Sequence, residues 1–439
     1  MKNVLTLEDI KNIINEINED IIGFYEDNSD KEGNLLFYSD GITVYDKNHE
    51  VMKYTDGSLA NDLKGDPSST QSGMIIPKPE STSIYYLFTV DDGPSNVGNI
   101  TEDGKGLNVY TIDLSNGIGE ITEGPTDLSD GKFNDWEEKV AAVKGQDCST
   151  YWVVSVVNNQ FYSYFIDASG LQTTPVISSV TTSSQRRGYL KLSPDGTKLA
   201  IANQSDDGQN SAILYDFNNQ TGEVTNNETF VINGINDGEA YGIEFSIDSK
   251  KLYISTVSDF RRALFRPAVT YKLFQFDLTE TNIPNSKAII HQQIGGSAEY
   301  PEGGFRGALQ LGPDGKIYAT IPLAYSNGFT PFLDVIENPT ANAADIIFKK
   351  NAIDLKGKFS TQGLPPFISS LLLPIEIKDE DTNNVINNQD LQFCEGQNKT
   401  IVPADVTGQN IKYTWTFDNG TSTIEIPSSG PDYKLILSN

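Results

Sequence analysis

Three stretches in the middle of the chain carry one pattern, and it restricts the fold more than any other feature. They are GYLKLSPDGTKLAIA from Gly188, GIEFSIDSKKLYIS from Gly242 and GALQLGPDGKIYAT from Gly307. Each is a glycine, an alternating strand, a turn and a second alternating strand. The turns are Ser193-Pro194-Asp195-Gly196 and Gly312-Pro313-Asp314-Gly315, with Ile247-Asp248-Ser249 as a degenerate version. Proline presets φ, aspartate bonds its own backbone, and glycine takes positive φ. The glycines are 54 and 65 residues apart, about the length of a four-stranded unit with a long loop.

The segments after each hairpin complete such a unit. AILYDFNNQTGEVTN from Ala212, KLFQFDLTETNIPNSKAII from Lys272 and FLDVIENPTANAADIIF from Phe332 each read as strand, Asp or Asn turn, strand. Residues 21–54, 72–122 and 139–178 fit more loosely and bring the total to six units. The run GLPPFISSLLLP (363–374) is expected to add one more strand, closing the ring or marking a seventh unit. The expected fold is therefore all-β: a six- to seven-bladed β-propeller over residues 21–374. A solenoid needs shorter periods, and a sandwich array needs linkers absent before residue 375.

At the N-terminus, Leu7, Ile10, Ile13, Ile14 and Ile17 follow helical spacing, with Thr6 and Asp9 resembling a capping box. This predicts a short amphipathic helix within residues 1–20. The segment has no apolar h-region, so it does not read as a signal peptide, and no 18-residue apolar run exists to span a membrane. Residues 375–390 are polar and read as a linker. In residues 391–439, Tyr413–Phe417 alternates, Asp418-Asn419-Gly420 turns, and Trp415 follows the upstream Cys394. That pattern suits a partial immunoglobulin-like β-sandwich, short of the roughly 100 residues of a whole one, so the chain reads as a fragment of something longer.

Sixty acidic against 32 basic residues give a net charge of −28, which repels nucleic acid and anionic membranes. Cys148 and Cys394 fall in different expected domains, and no Cys/His cluster exists, which removes zinc. His49, in a hairpin turn, and His291, at the start of a loop, are the only histidines. The motifs of serine hydrolases, P-loop NTPases and dinucleotide enzymes are absent.

Residues 33–372 resemble the N-terminal propeller region of gliding-associated, type IX-secreted surface proteins of Bacteroidetes. The matching stretches are GNLLFYSDGITVYDKNHEVM, GDPSSTQSGMIIPKP, IYYLFTVDDG, GYLKLSPDGTKLA, YGIEFSIDSKKLYIS, RGALQLGPDGKIYA and GLPPFISS. FCEGQNKTI with YTWTFDNGT is similar to the PKD-like or immunoglobulin-like modules that follow that propeller. The resemblance implies an extracellular or cell-surface protein involved in adhesion, and brings no catalytic residues.

Two cations stand out in so acidic a chain. Arg187 and Arg306 each directly precede the first strand of a unit, which in a propeller lines the central channel and could face an anionic ligand. Arg261 and Arg262, with Arg266, Phe260 and Phe265, lie in a long loop that reads as a contact patch. Asp91-Asp92-Gly93, Asp195-Gly196, Asp206-Asp207-Gly208 and Asp314-Gly315 are ordinary turns that also offer oxygens to calcium, so a metal stays open. The expected function is non-catalytic binding of an extracellular glycan or protein. The alternative is a lactonase- or glycan-cleaving propeller hydrolase using carboxylates and a divalent cation. Nothing in the sequence sets the oligomeric state.

Overall fold

A computed structural model describes residues 26–29, 34–97, 100–146, 149–180, 186–204, 211–225, 229–233, 237–258, 269–295, 297, 303–322 and 329–372. Further on it describes the strands 377–379, 398–403, 413–418, 423–428 and 433–436. The expected helix within residues 1–20, both cysteines, Arg261, Arg262, Arg266 and the Asp206-Asp207-Gly208 turn lie outside the described residues.

The structure is all-β and propeller-like. Between Glu26 and Asp354 the strands form six antiparallel sheets of three or more strands, with a separate two-stranded hairpin, Ser95–Val97 and Ile100–Glu102. The first has three strands, the second, fifth and sixth have four, and the third and fourth have five. Each of the last five begins with an inner strand: Gly73–Pro77, Trp136–Lys144, Leu190–Leu192, Glu239–Phe245 and Leu309–Leu311. Successive inner strands lie side by side. Strand order follows chain order in these six sheets, except that Val176–Ser179 and Thr229–Asn233 pair back onto the third strand of their five-stranded sheets.

The core lies between the faces of successive sheets. Phe37, Val44, Leu87 and Ile112 fill the space between the first two, and Met74, Phe88, Trp136 and Val153 the next. Val143, Val154, Leu199 and Ile213 join the third to the fourth. Ala200, Ile243, Phe245 and Val335 continue the packing through the last three. Strands buried on both faces explain the near-continuous burial of YWVVSVV (Tyr151–Val157) and KLYISTV (Lys251–Val257).

The turns behave as their residues dictate. Gly196 and Gly315 take φ of +70° and +75°. In the degenerate copy Ser249 takes φ +58°, and its hydroxyl accepts the Asp195 amide at 3.0 Å, which ties two neighbouring turns together.

Residues 363–372 correct one expectation: they contain no strand. Pro365 and Pro366 lack the N–H that a ladder needs. The segment instead runs along the inner strands and ends in a 3-10 turn, Ser369–Leu372. It starts where Ala308 N donates to Gln362 O (2.8 Å) and ends where Ser369 Oγ donates to Leu192 O (3.3 Å) and Lys144 N to Ser370 Oγ (2.9 Å). Leu364 and Ile368 are buried in two different core clusters on the way. His291 is also corrected: it sits within the strand Ala288–Gln293 and stacks on Phe348 at 4.2 Å.

Near the C-terminus a short strand, Ile377–Asp379, falls inside the stretch read as linker and pairs with Asn398–Pro403, which pairs with Tyr433–Ile436. Tyr413–Asp418 pairs with Thr423–Ser428 as the expected hairpin. Among the described residues no helix is long and apolar enough to cross a membrane.

Candidate functional site

The inner strands are aligned with their starts at one end. Gly188 N donates to Thr70 Oγ1 (3.2 Å), Thr70 N and Oγ1 both donate to Glu138 Oε2 (3.0 and 2.9 Å), and Tyr189 N donates to Tyr241 O (2.9 Å). The residues before each inner strand therefore converge on one rim.

Arg187 and Arg306 meet there. Arg187 bridges backbone to backbone with Gln204, and the Gln204 side-chain oxygen accepts a hydrogen bond from Arg306 Nη1. Arg306 also donates to Gln362 Oε1, and its guanidinium lies 4.7 Å from the centre of the Tyr241 ring. Arg306 is buried, whereas the Arg187 side chain is 43% exposed and stands 3.8 Å from Glu138 Oε1. The Gln204 amide nitrogen is buried and has no hydrogen-bond partner. A buried N–H donor without an acceptor is costly, so this rim has unused capacity for one.

At the same end, Ser258 N donates to Thr270 O and Thr270 N to Ser258 Oγ, both at 2.8 Å. Phe305, next to Arg306, packs on Val257 and Val269 beside them.

Burial works against the charged form of several acids at this end. Desolvation raises the Glu138 carboxyl above the usual glutamate range, against the pull of Thr70 and Arg187. Beside it, Arg186 donates to Asp92 O (2.8 Å) and Asn134 O (3.1 Å). Asp66, Asp91 and Asp92 place carboxylate oxygens within 4.8 Å of one another, the one such grouping of ligating side chains among the described residues. Burial raises both Asp91 and Asp92. The chain's own donors already serve them: Lys105 N and Gly93 N reach Asp91 Oδ2, and Ser68 Oγ reaches Asp66 and Asp92. Asp195 and Asp314 serve as turn residues, accepting from Thr197 N and Lys316 N.

A buried polar set below the rim escaped the sequence reading. Lys191 Nζ meets Glu244 Oε2 at 2.9 Å and Gln310 Oε1 at 2.7 Å, and Glu244 also accepts the amides of Leu311 and Phe245. Lys139 Nζ meets Glu137 Oε2 at 2.7 Å and Arg186 O at 3.0 Å, and its burial lowers its pKa. A signal existed: with the degenerate turn counted from Ser246, whose carbonyl accepts the Ser249 amide, Lys191, Glu244 and Gln310 each stand two residues before the turn of their repeat.

One further buried acid lies away from the rim and has a pH consequence. Desolvation raises Asp334 to about 6, against the hydrogen bond from Asn351 N. The unfolded chain titrates this group near 3.8, so between the two values the folded state holds the extra proton. Stability from this group is full below about pH 4 and is lost as pH rises through 6, on the order of 2–3 kcal/mol. Asp334→Asn keeps an acceptor for Asn351 and is expected to be more stable than wild type at pH 7 and similar at pH 4. Urea unfolding at both pH values checks this; an equal difference at the two would refute it.

No family model and no curated protein matches the chain. Among solved structures, it is similar to a functionally unknown protein from Desulfotomaculum acetoxidans, at 13% identity and TM-score 0.42, covering 80% of this chain and 91% of that one. It is also similar to a putative 6-phosphogluconolactonase from Bacteroides fragilis, at 12% identity and TM-score 0.35, covering 75% and 94%. An α-L-arabinofuranosidase from Clostridium thermocellum gives 13% and 0.35, covering 65% and 94%. Likeness at this level assigns no activity.

Proposed function

We propose that the chain is a non-catalytic surface binding protein, a six-bladed propeller carrying an immunoglobulin-like module. Its rim at the start of the inner strands takes an anionic group of an extracellular glycan or protein. The observation that carries this reading is the junction of Arg187, Gln204 and Arg306, with a buried Gln204 N–H left to donate. Guanidinium and amide groups are planar donors suited to a carboxylate. In a chain of charge −28 such donors offer a local site for an anion. Export and a gliding-associated role follow from the sequence resemblance alone.

A propeller hydrolase is the second reading, favoured by the Glu138 carboxyl, which is buried, raised in pKa and set beside Arg187. A group of that kind suits general acid catalysis.

Binding and turnover of anionic oligosaccharides and acidic peptides, measured side by side, separate the two. The binding reading expects affinity without product, weakened by salt. Arg187→Gln, on a half-exposed side chain, is expected to weaken it by about tenfold or more with the fold intact, from loss of a charged hydrogen bond. Turnover that disappears in Glu138→Gln would replace it with the hydrolase. Protease shaving of intact cells tests display: peptides from residues 33–372 released only after lysis would remove the surface assignment.

A further inference from the structure

Among the described residues only two phenylalanines are exposed, Phe329 at 52% and Phe359 at 39%, and they touch each other, with ring centres 6.0 Å apart and planes at 60°. Their position ties them to the arginine rim. Thr330 and Ser360 exchange backbone hydrogen bonds at 2.9 and 2.8 Å. Ser360 Oγ then donates to Thr320 Oγ1 at 2.9 Å, and two residues later Gln362 accepts from Arg306. The segment thus crosses the rim from its outer part toward Arg306. Three residues of chain span at most about 11 Å, so Phe359 lies within one or two sugar units of Gln362.

We propose that the anionic ligand of this rim is a uronic-acid-bearing saccharide. Its carboxylate is held by Arg187, Arg306 and the free Gln204 N–H, and a neighbouring sugar ring lies on Phe329 and Phe359. This rests on the anion-binding reading above. Exposed aromatic faces offer apolar, weakly negative surface, and the C–H face of a pyranose is apolar and weakly positive. Rings set at 60° cannot act as one flat stack, so they suit successive, non-coplanar rings of an oligosaccharide. An acidic peptide would satisfy the arginines but has no such face to lay on the phenylalanines.

The test uses the full chain and calorimetric binding of oligogalacturonates, their fully methyl-esterified counterparts, galacturonic acid and an acidic peptide. Oligogalacturonate is expected to bind, the neutral ester to fail, and the single sugar to bind more weakly than the oligomer. The double variant Phe329→Ala/Phe359→Ala replaces exposed side chains and should leave the unfolding midpoint in place. It should weaken the oligomer about tenfold and leave the single sugar unchanged. Arg187→Gln should weaken both. If the oligomer binds equally to the double variant, the platform is wrong while the anion site stands. If the peptide binds in an Arg187-dependent way and the uronates do not, the ligand class is wrong and the anion site still stands. If no anion binds in an Arg187-dependent way, both readings fall.

Discussion

Lys191→Met is expected to lower unfolding stability by roughly 3–5 kcal/mol, because it strands a carboxylate in the core. Glu244 is fully buried, and its only charged partner among the described contacts is the Lys191 ammonium at 2.9 Å. Without it, Glu244 keeps the amides of Leu311 and Phe245 but faces a medium that does not solvate its charge. Gln310 Oε1 loses its 2.7 Å donor in the same step. The methionine replaces the aliphatic stem, so little of the loss comes from packing. Adding Glu244→Gln removes the stranded charge and keeps an acceptor for one of the two amides, and it should restore part of the loss. Urea midpoints of the single and double variants decide this. A single variant within about 1 kcal/mol of wild type, or a double variant no better than the single, would show that the Lys191–Glu244 pair does not stabilise the core.

The contrast between what was legible and what was hidden follows from range. Turns and hairpins are local, so Pro-Asp-Gly and the alternation of GYLKLSPDGTKLAIA announced them directly. Arg187 and Arg306 were legible for the same reason: each adjoins a recognisable strand. Their meeting through Gln204 was not, because Gln204 sits 102 residues from Arg306 and looks like any polar residue at a strand end. The apolar run at residues 363–374 misled because hydrophobicity marks burial, not hydrogen bonding. Pro365 and Pro366 were the better guide, and they keep a buried segment out of any ladder. The Lys191–Glu244–Gln310 set was obscured by aligning the repeats on their glycines. Gly242 stands four residues before its turn, while Gly188 and Gly307 stand five before theirs, and only alignment on the turn brings the three polar residues into one column.

Gly307→Ala is expected to cost about 3 kcal/mol, and the reason is space rather than backbone conformation. A Cβ at Gly307 would lie 1.8 Å from the Thr320 carbonyl oxygen and 2.8 Å from its carbon, both backbone atoms of the adjacent strand's end. The same crossing recurs at Gly188, where a Cβ would lie 2.3 Å from the Ala202 carbonyl oxygen. In both repeats the start of the inner strand passes directly against the end of the second, and at Gly188 a φ of +108° adds a second reason for glycine. Separating the strands there would also pull Ala308 from Gln362 and disturb the Arg306 rim. Gly357 supplies the control: its φ is +90° and nothing lies within 4 Å of a Cβ built there. Gly357→Ala carries only the dihedral penalty, about 1 kcal/mol. Denaturation of the two variants in parallel therefore separates crowding from conformation. Equal losses would mean that the strand crossing yields to a methyl group and that crowding by Thr320 does not dictate glycine at Gly307.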